Sequence, residues 1–141
     1  MKIYTQIHIE AKPKLVWAIL MDFDNYPQWN PFIKSLTGKI QIGKTIKVNL
    51  SGMNFMPKII ALEKNKEFQW LGNLGFKGLF DGEHRFELLE NPDGSTTFVH
   101  SEKFKGILVP ILKKKLLKET KPGFEAMNLS LKNRVEGIKK G

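Results

Sequence analysis

The chain has 141 residues, 41% of them hydrophobic and 26% charged, which is the composition of one globular domain with a substantial core. It contains no cysteine, and this excludes disulfides, zinc–thiolate sites and cysteine nucleophiles. No apolar run reaches 18 residues, so we expect no membrane-spanning helix. The N-terminal residues have a strand pattern rather than that of a signal peptide. We therefore expect a cytoplasmic protein, with residues 1–137 as a single domain and residues 138–141 as a short basic tail.

The net charge of +9 is concentrated near the C-terminus. Residues 1–102 hold 12 Lys and Arg against 11 Asp and Glu, whereas residues 103–141 hold 11 against 3. A basic helix of this kind is typical of a solvated surface, and it also suits weak contact with an anionic membrane. We expect no nucleic-acid binding, because the aromatic side chains on which bases would stack are assigned to the core.

The first part of the chain predicts one strand followed by two short helices. Apolar and polar residues alternate over residues 2–10, which indicates a half-buried strand. Pro13 suits the first turn of a helix, because the missing N–H has no helical partner there. Pro27 opens a second short helix or turn, within the aromatic string Tyr-Pro-Gln-Trp-Asn-Pro-Phe of residues 26–32.

Six further strands are predicted between these helices and the C-terminal third. Glycine, proline and asparagine clusters supply the breaks between them. Short strands joined by tight turns indicate an antiparallel meander, so the sheet has seven strands in all. The six strands lie at about 33–41, 44–51, 55–63, 66–74, 79–90 and 95–105.

The last two strands predict a polar cluster on the face that points to the core. His84, His100 and Glu102 all share a strand face with phenylalanines. A turn closed by the pair Leu89–Ser95 places His84 opposite His100, and one closed by Glu90–Thr96 places it opposite Glu102. In either register the three polar side chains lie together, because opposed side chains are about 5 Å apart.

The C-terminal third predicts one long amphipathic helix from Ile107 to Val135. Such a helix is not stable alone in water, so its apolar stripe must pack on the concave face of the sheet. Pro122 removes an intrahelical hydrogen bond and clashes with the preceding turn, which predicts a kink or break near residues 119–122. The stripe consists of Leu108, Leu112, Leu116, Phe124, Met127, Leu131 and Val135.

A curved sheet that closes on one helix predicts a cavity between them. Polar groups on its otherwise apolar wall suit a site that holds a small molecule. The alternative is a His–Glu pair that is satisfied inside a filled core. The candidate ligand-binding residues are Phe68, Trp70, His84, Phe86, His100, Glu102, Phe124, Met127 and Leu131.

Motifs along nearly the whole chain resemble the START-like, Bet v 1-like SRPBCC superfamily, and within it the bacterial polyketide cyclase/dehydrase-like proteins. The more specific strings are Trp29-Asn30-Pro31-Phe32 and His100-x-Glu102-x-Phe104-x-Gly106. The resemblance implies an α+β helix-grip fold, in which a seven-stranded antiparallel sheet wraps around a long C-terminal helix, with two short helices after the first strand. It also implies binding of apolar ligands in some members and enzymatic activity in others, without a shared set of catalytic residues.

We therefore expect a protein that binds a small hydrophobic ligand, such as a lipid or polyketide, between the sheet and the C-terminal helix. The alternative is a cyclase-like enzyme in which a histidine beside a carboxylate is the general base, with His84, His100 and Glu102 as candidate catalytic residues. No nucleophile motif or phosphate loop is present, and we expect no cofactor. Two histidines and a carboxylate also match an iron-binding triad, but all three come from neighbouring strands, and we expect no metal site.

Overall fold

The computed structural model describes residues 1–50, 52–73 and 77–140, the last two without their side chains. Within these residues the chain forms eight strands, two short helices near the N-terminus and a long C-terminal helix. The predicted strand ends at Ser51 and Leu74 and the tail residue Gly141 lie outside the described residues. The strands are β1 (Lys2–Ile9), β2 (Ile33–Thr37), β3 (Lys47–Leu50), β4 (Met53–Phe55), β5 (Lys58–Glu63), β6 (Glu67–Asn73), β7 (Asp81–Glu90) and β8 (Thr96–Lys105).

The strands form two antiparallel sheets, so the prediction of one seven-stranded sheet is wrong. A five-stranded sheet has the order β1-β8-β7-β6-β5, and a three-stranded sheet has the order β2-β3-β4. The strand predicted at 55–63 is divided: β4 ends at Phe55 and pairs with β3, whereas β5 begins at Lys58 and pairs with β6. Pro57 lies at the division, and it has no N–H to donate to a ladder.

Backbone hydrogen bonds still join the two sheets ahead of β3. The N–H of Gly43 donates to Ile59 O at 2.8 Å, and the N–H of Ile59 donates to Lys44 O at 2.9 Å. The N–H of Ile46 donates to Pro57 O, also at 2.9 Å. The two sheets therefore continue one another as a curved surface that wraps the C-terminal helix.

The two short helices predicted after the first strand are present. They are α1 (Pro13–Leu20), which begins at a proline as predicted, and α2 (Tyr26–Trp29), preceded by a 3₁₀ turn at Phe23–Asn25. Tyr26 is fully buried, and its hydroxyl donates a hydrogen bond to the carbonyl of Leu20. This contact fixes α2 against the end of α1.

The C-terminal helix is not broken at Pro122. It consists of α3 (Val109–Lys115), a π turn (Leu116–Thr120) and α4 (Lys121–Lys140), without an intervening loop. The irregularity predicted near residues 119–122 is thus a widened turn immediately before the proline, which lacks the N–H of a regular helix. Residues 138–140, predicted as a tail, continue α4. No helix among the described residues has the length and apolarity needed to cross a membrane.

The apolar stripe of this helix is divided into two parts that differ in burial. Phe124, Met127, Leu131 and Val135 of α4 are fully buried against the sheet. In contrast, no residue of α3 or of the π turn is buried, and the stripe residues there are only half-buried. The core therefore lies between α4 and the five-stranded sheet, and residues 107–120 cover its edge.

Candidate functional site

Two histidines from adjacent strands lie at the centre of the interface between the sheet and α4. His84 of β7 and His100 of β8 are fully buried, and their Nε2 atoms are 2.7 Å apart. On the other side of His84, Nδ1 lies 3.3 Å from Oε1 of Glu102, whose side chain keeps 14% of its surface exposed. This contact lacks hydrogen-bond geometry, so His84 Nδ1 has no hydrogen-bond partner. The cluster thus runs from the core to a partly open edge.

The register of β7 and β8 produces this arrangement. Of the two alternatives left by the sequence, the structure has the turn closed by Glu90 and Thr96. His84 is therefore directly opposite Glu102, and His100 is opposite Phe86. The two histidines meet diagonally across the strand pair, on the side that faces α4.

Asn128 and Thr5, which sequence reasoning did not identify as site residues, extend the hydrogen bonds from His100. Nδ2 of Asn128 donates to Thr5 Oγ1 at 2.8 Å, and the Thr5 hydroxyl donates to the backbone carbonyl of His100 at 2.7 Å. Oδ1 of Asn128 is then the acceptor that lies 2.9 Å from His100 Nδ1. This chain assigns the proton of His100 to Nδ1.

The tautomer of His100 sets the direction of its hydrogen bond with His84. Burial lowers the pKa of His100 well below 6.5 and the nearby His84 lowers it further, while the hydrogen bond with Asn128 acts in the opposite direction. A neutral His100 with its proton on Nδ1 has a lone pair on Nε2. His84 must therefore donate from Nε2, which leaves its Nδ1 as the nitrogen that faces Glu102.

Aromatic rings enclose the two histidines. Trp70 stacks on His84 with ring centroids 4.7 Å apart, and Phe124 stacks on His100 at 3.9 Å with an angle of 10° between the planes. Phe86 contacts both imidazoles, with its ring centroid 5.0 Å from that of His84 and 4.8 Å from that of His100. These rings exclude water, which is why a hydrogen bond between two histidines persists here.

Phe32 is a further residue of the enclosure that sequence reasoning did not place there. Its ring centroid lies 5.3 Å from that of Phe124 and 6.3 Å from that of His84. The contact requires Gly123, because a Cβ there would lie only 2.6 Å from Phe32 Cδ1. Asn30 Oδ1 accepts hydrogen bonds from the N–H of Phe32 and of the next residue, which fixes this loop. The motif string Trp29-Asn30-Pro31-Phe32 had singled out Phe32, but not its contact with Gly123.

The remaining predicted residues belong to the packed core. Phe68, Met127 and Leu131 are fully buried. Phe68 stacks on Phe86 and meets Trp70 edge to face. Two grooves of about 580 Å³ each lie elsewhere, around the start of α1. Packing alone does not show whether the nine candidate ligand-binding residues contact a ligand, so their role stays a prediction.

The geometry of the polar cluster does not converge on a common point for a metal ion. The two Nε2 atoms bond to each other, and His100 Nδ1 bonds to Asn128. Over residues 1–50, 52–73 and 77–140, no group of three or more His, Asp or Glu side chains is placed to hold a metal.

Solved structures share the fold at low sequence identity. A START superfamily protein from Mycobacterium smegmatis is 22% identical with a TM-score of 0.71, over 97% of this chain and 98% of that protein. A hypothetical protein from Helicobacter pylori is 13% identical with a TM-score of 0.81, over 96% of this chain and 88% of that one. DynU16 of the dynemicin biosynthetic locus is 15% identical with a TM-score of 0.74, over 96% of this chain and 47% of DynU16. No curated protein matches the sequence significantly.

The solved structures show the fold, and a family model shows the family. The model described as polyketide cyclase / dehydrase and lipid transport matches residues 1–136, which is nearly the whole chain. The match includes the strands, the short helices and the C-terminal helix that build the histidine cluster. The chain belongs to the polyketide cyclase / dehydrase and lipid transport family.

Proposed function

We propose that the protein binds a small hydrophobic ligand with one polar group, between the curved sheet and the C-terminal helix. The observation that carries the proposal is the fully buried His84 Nδ1, which faces Glu102 and has no hydrogen-bond partner. A buried polar atom without a partner costs about 1–3 kcal/mol. A ligand hydroxyl that donates to this nitrogen would remove that cost. Membership of a family described by lipid transport supports the same reading.

The surroundings of His84 suit the apolar part of such a ligand. The rings of Trp70 and Phe32 stack beside the His84 imidazole and that of Phe124 is tilted against it, and aliphatic or aromatic groups pack well on such rings. Small-molecule sites typically combine an apolar wall with a few polar groups that fix the orientation. Here His84 and Glu102 supply those polar groups at one end.

Access to this space requires movement of the helical segment at residues 107–120. The described conformation has side chains packed around the histidines, so the ligand must displace some of them. Residues 107–120 are the part of the enclosure with the least burial, since none of α3 or the π turn is buried. The π turn before Pro122 has weaker helical geometry than an α-helix and is the expected hinge.

Native mass spectrometry of the purified protein tests the proposal. We expect a species heavier than the 16.2 kDa chain, with a discrete apolar compound released on denaturation. The His84→Gln variant should lose this compound. His8→Gln is the matched control, because His8 is exposed and pairs with Glu10 on the outside of β1. A protein that carries nothing and also takes up no member of a series of fatty alcohols would refute the proposal.

A second function is proposed because His84 Nδ1 has no hydrogen-bond partner and faces a carboxylate, that of Glu102. This nitrogen can take a proton from a carbon next to a ligand carbonyl, and the electron pair then forms an enolate. The enolate carbon attacks a second carbonyl of the same ligand and closes a ring, and the new alkoxide takes the proton back from His84. Glu102 stabilises the imidazolium between the two steps.

Deuterium exchange tests this cyclase-like chemistry separately from binding. The extracted ligand, or a diketone of similar size, is incubated with the protein in heavy water and followed by mass spectrometry. We expect exchange beside the carbonyl that is lost in His84→Gln and reduced in Glu102→Gln. Binding without any catalysed exchange would leave the protein as a carrier.

A further inference from the structure

The segment at residues 107–121, called the basic segment below, presents two different faces. It follows β8 through Gly106 and is tied to the loop before β7 by hydrogen bonds from the N–H groups of Ile107 and Leu108 to Gly78 O and Leu79 O. Its inner face is half-buried over the edge of the core, and its outer face is exposed. The inner face consists of Leu108, Val109, Leu112, Leu116 and Thr120.

The outer face carries apolar side chains that are unusually exposed. Ile107 and Ile111 keep 70% and 77% of their surface accessible, and Leu117 keeps 44%. Ile107 lies in the turn just before α3, and Ile111 lies in the first turn of that helix. These side chains contribute nothing to the core of the molecule, so their exposure to solvent requires an explanation.

Lysines surround these exposed apolar side chains. Lys114 and Lys115 are three and four residues after Ile111, which places them beside it on the surface of α3. Lys118 follows in the π turn and is also exposed. The basic segment contains five lysines and one glutamate, a net charge of +4. Among the ion pairs formed within the described residues, none involves these five lysines.

We propose that the outer face of the basic segment docks on an anionic lipid bilayer. Exposed aliphatic side chains that are interleaved with lysines match an interface with both an apolar layer and negatively charged head groups. A nucleic acid would match the charge alone, since the segment offers no aromatic ring for stacking and no arginine. The docking face is opposite to the half-buried face, so it does not use the residues of the proposed ligand site.

Binding to vesicles of defined composition tests the proposal. We expect the protein to float with vesicles of phosphatidylcholine and phosphatidylglycerol but not with phosphatidylcholine alone, and to dissociate as salt rises. Removing two charges in Lys114→Gln/Lys118→Gln should weaken binding about 30-fold, from about fivefold per lysine near an anionic surface. Ile107→Asn/Ile111→Asn should weaken it as well, although the net charge is unchanged.

A charge-matched control separates docking from adsorption of a basic protein. Lys12 and Lys14 are exposed and lie with Asp93 at one end of β7, whereas the basic segment is tied to the other end. The ten residues of β7 span roughly 30 Å between them. Lys12→Gln/Lys14→Gln should therefore bind vesicles like the wild type. Equal loss in both lysine variants would overturn the proposal, because it would show that only net charge matters.

The absence of cysteine from the chain allows a direct measurement of depth. A nitrobenzoxadiazole dye on Ile111→Cys should shift to the blue on anionic vesicles, and the same dye on Leu89→Cys, an exposed site at the far end of β7, should not. Equal spectra at the two sites would overturn the proposal. Lysine-dependent binding to a DNA oligonucleotide without binding to vesicles would assign the surface to nucleic acid instead. The ligand proposal is tested separately, by uptake of ligand from solution in the Ile107→Asn/Ile111→Asn variant. Uptake that persists in this variant would show that ligand binding does not depend on the docking face.

Discussion

His84 and His100 share one hydrogen bond across adjacent strands, with their Nε2 atoms 2.7 Å apart. They are diagonal rather than opposed neighbours, since His84 is opposite Glu102. Only one of the two nitrogens in this contact carries a hydrogen when His100 is neutral. The neutral form of His100 is therefore the form that this hydrogen bond with His84 requires.

We expect the free energy of unfolding to decrease as pH falls below about 6.5. Burial, and secondly His84, lowers the pKa of His100 in the folded state. Between the folded and unfolded pKa values the unfolded chain binds more protons, so stability rises with pH in that window and is complete above the unfolded value. Each pH unit within the window changes the contribution of this group by about 1.4 kcal/mol. Urea unfolding across this range of pH measures the slope.

A variant at His100 tests whether this residue causes the slope. His100→Gln should be less stable at neutral pH, because it loses the stacking on Phe124, but its stability should depend less on pH. Asn133→Leu should keep the full slope, because Asn133 is exposed and its replacement removes no titratable group. A slope that is unchanged in His100→Gln would show that other groups cause it.

Asn128→Leu should destabilise the protein by about 1–3 kcal/mol. The variant keeps a side chain of similar size but removes the acceptor of His100 Nδ1, which lies 2.9 Å from Asn128 Oδ1 in the buried core. Asn133→Leu on the same helix is the control, because Asn133 is exposed and should change stability little. Equal urea midpoints for the two variants would contradict the assigned hydrogen-bond chain.

The sequence predicted the cluster on β7 and β8 but not its extension into the rest of the molecule. Alternation alone places His84, His100 and Glu102 on one strand face, because the period of a strand is two residues. The contacts of Asn128 and Thr5 depend on how α4 is rotated and shifted against β1, which no local pattern encodes. Helix periodicity identified a stripe, and it left open which half of the stripe would be buried.

The division into two sheets could not be predicted from the hydrophobic pattern of the sequence, for a different reason. The run at 55–63 has the apolar content of a single strand, and only Pro57 within it indicates an interruption. A proline is also tolerated at the edge of a strand, so the sequence admits both arrangements. Pairing with β3 on one side and β6 on the other decides the outcome, and that is a tertiary property.

Gly82→Ala should displace the carboxylate of Glu102 from His84 with little effect on stability. A Cβ at position 82 would collide with Glu102 Oε2, which is the free end of a flexible and partly exposed side chain. We expect changed imidazole ¹⁵N shifts for His84 and weaker ligand binding. Gly72→Ala is the matched control, because Gly72 pairs with Gly82 and a Cβ there would meet only Pro57 at 3.7 Å. Unchanged His84 signals in Gly82→Ala would contradict the role of Glu102.

Gly123→Ala should destabilise the protein by about 1–3 kcal/mol relative to Gly137→Ala. Alanine is intrinsically better than glycine in a helix by about 1 kcal/mol, so both changes gain the same local preference. At Gly137 a Cβ meets nothing within 4 Å, whereas at Gly123 it would lie 2.6 Å from the ring of Phe32. Phe32 is buried between α4 and the histidines, so its ring has little room to move.

A double-mutant cycle shows whether that contact is the cause. Phe32→Leu alone should destabilise the protein, because it leaves space beside Phe124 and His84. Phe32→Leu should be less harmful in the Gly123→Ala background, since the smaller side chain makes room for the new methyl group. Urea unfolding of the four proteins gives the coupling energy. Additive effects would mean that the alanine at position 123 destabilises the protein through a contact other than that with Phe32. The absence of a side chain at Gly123 would then not be what allows Phe32 to pack beside the histidines.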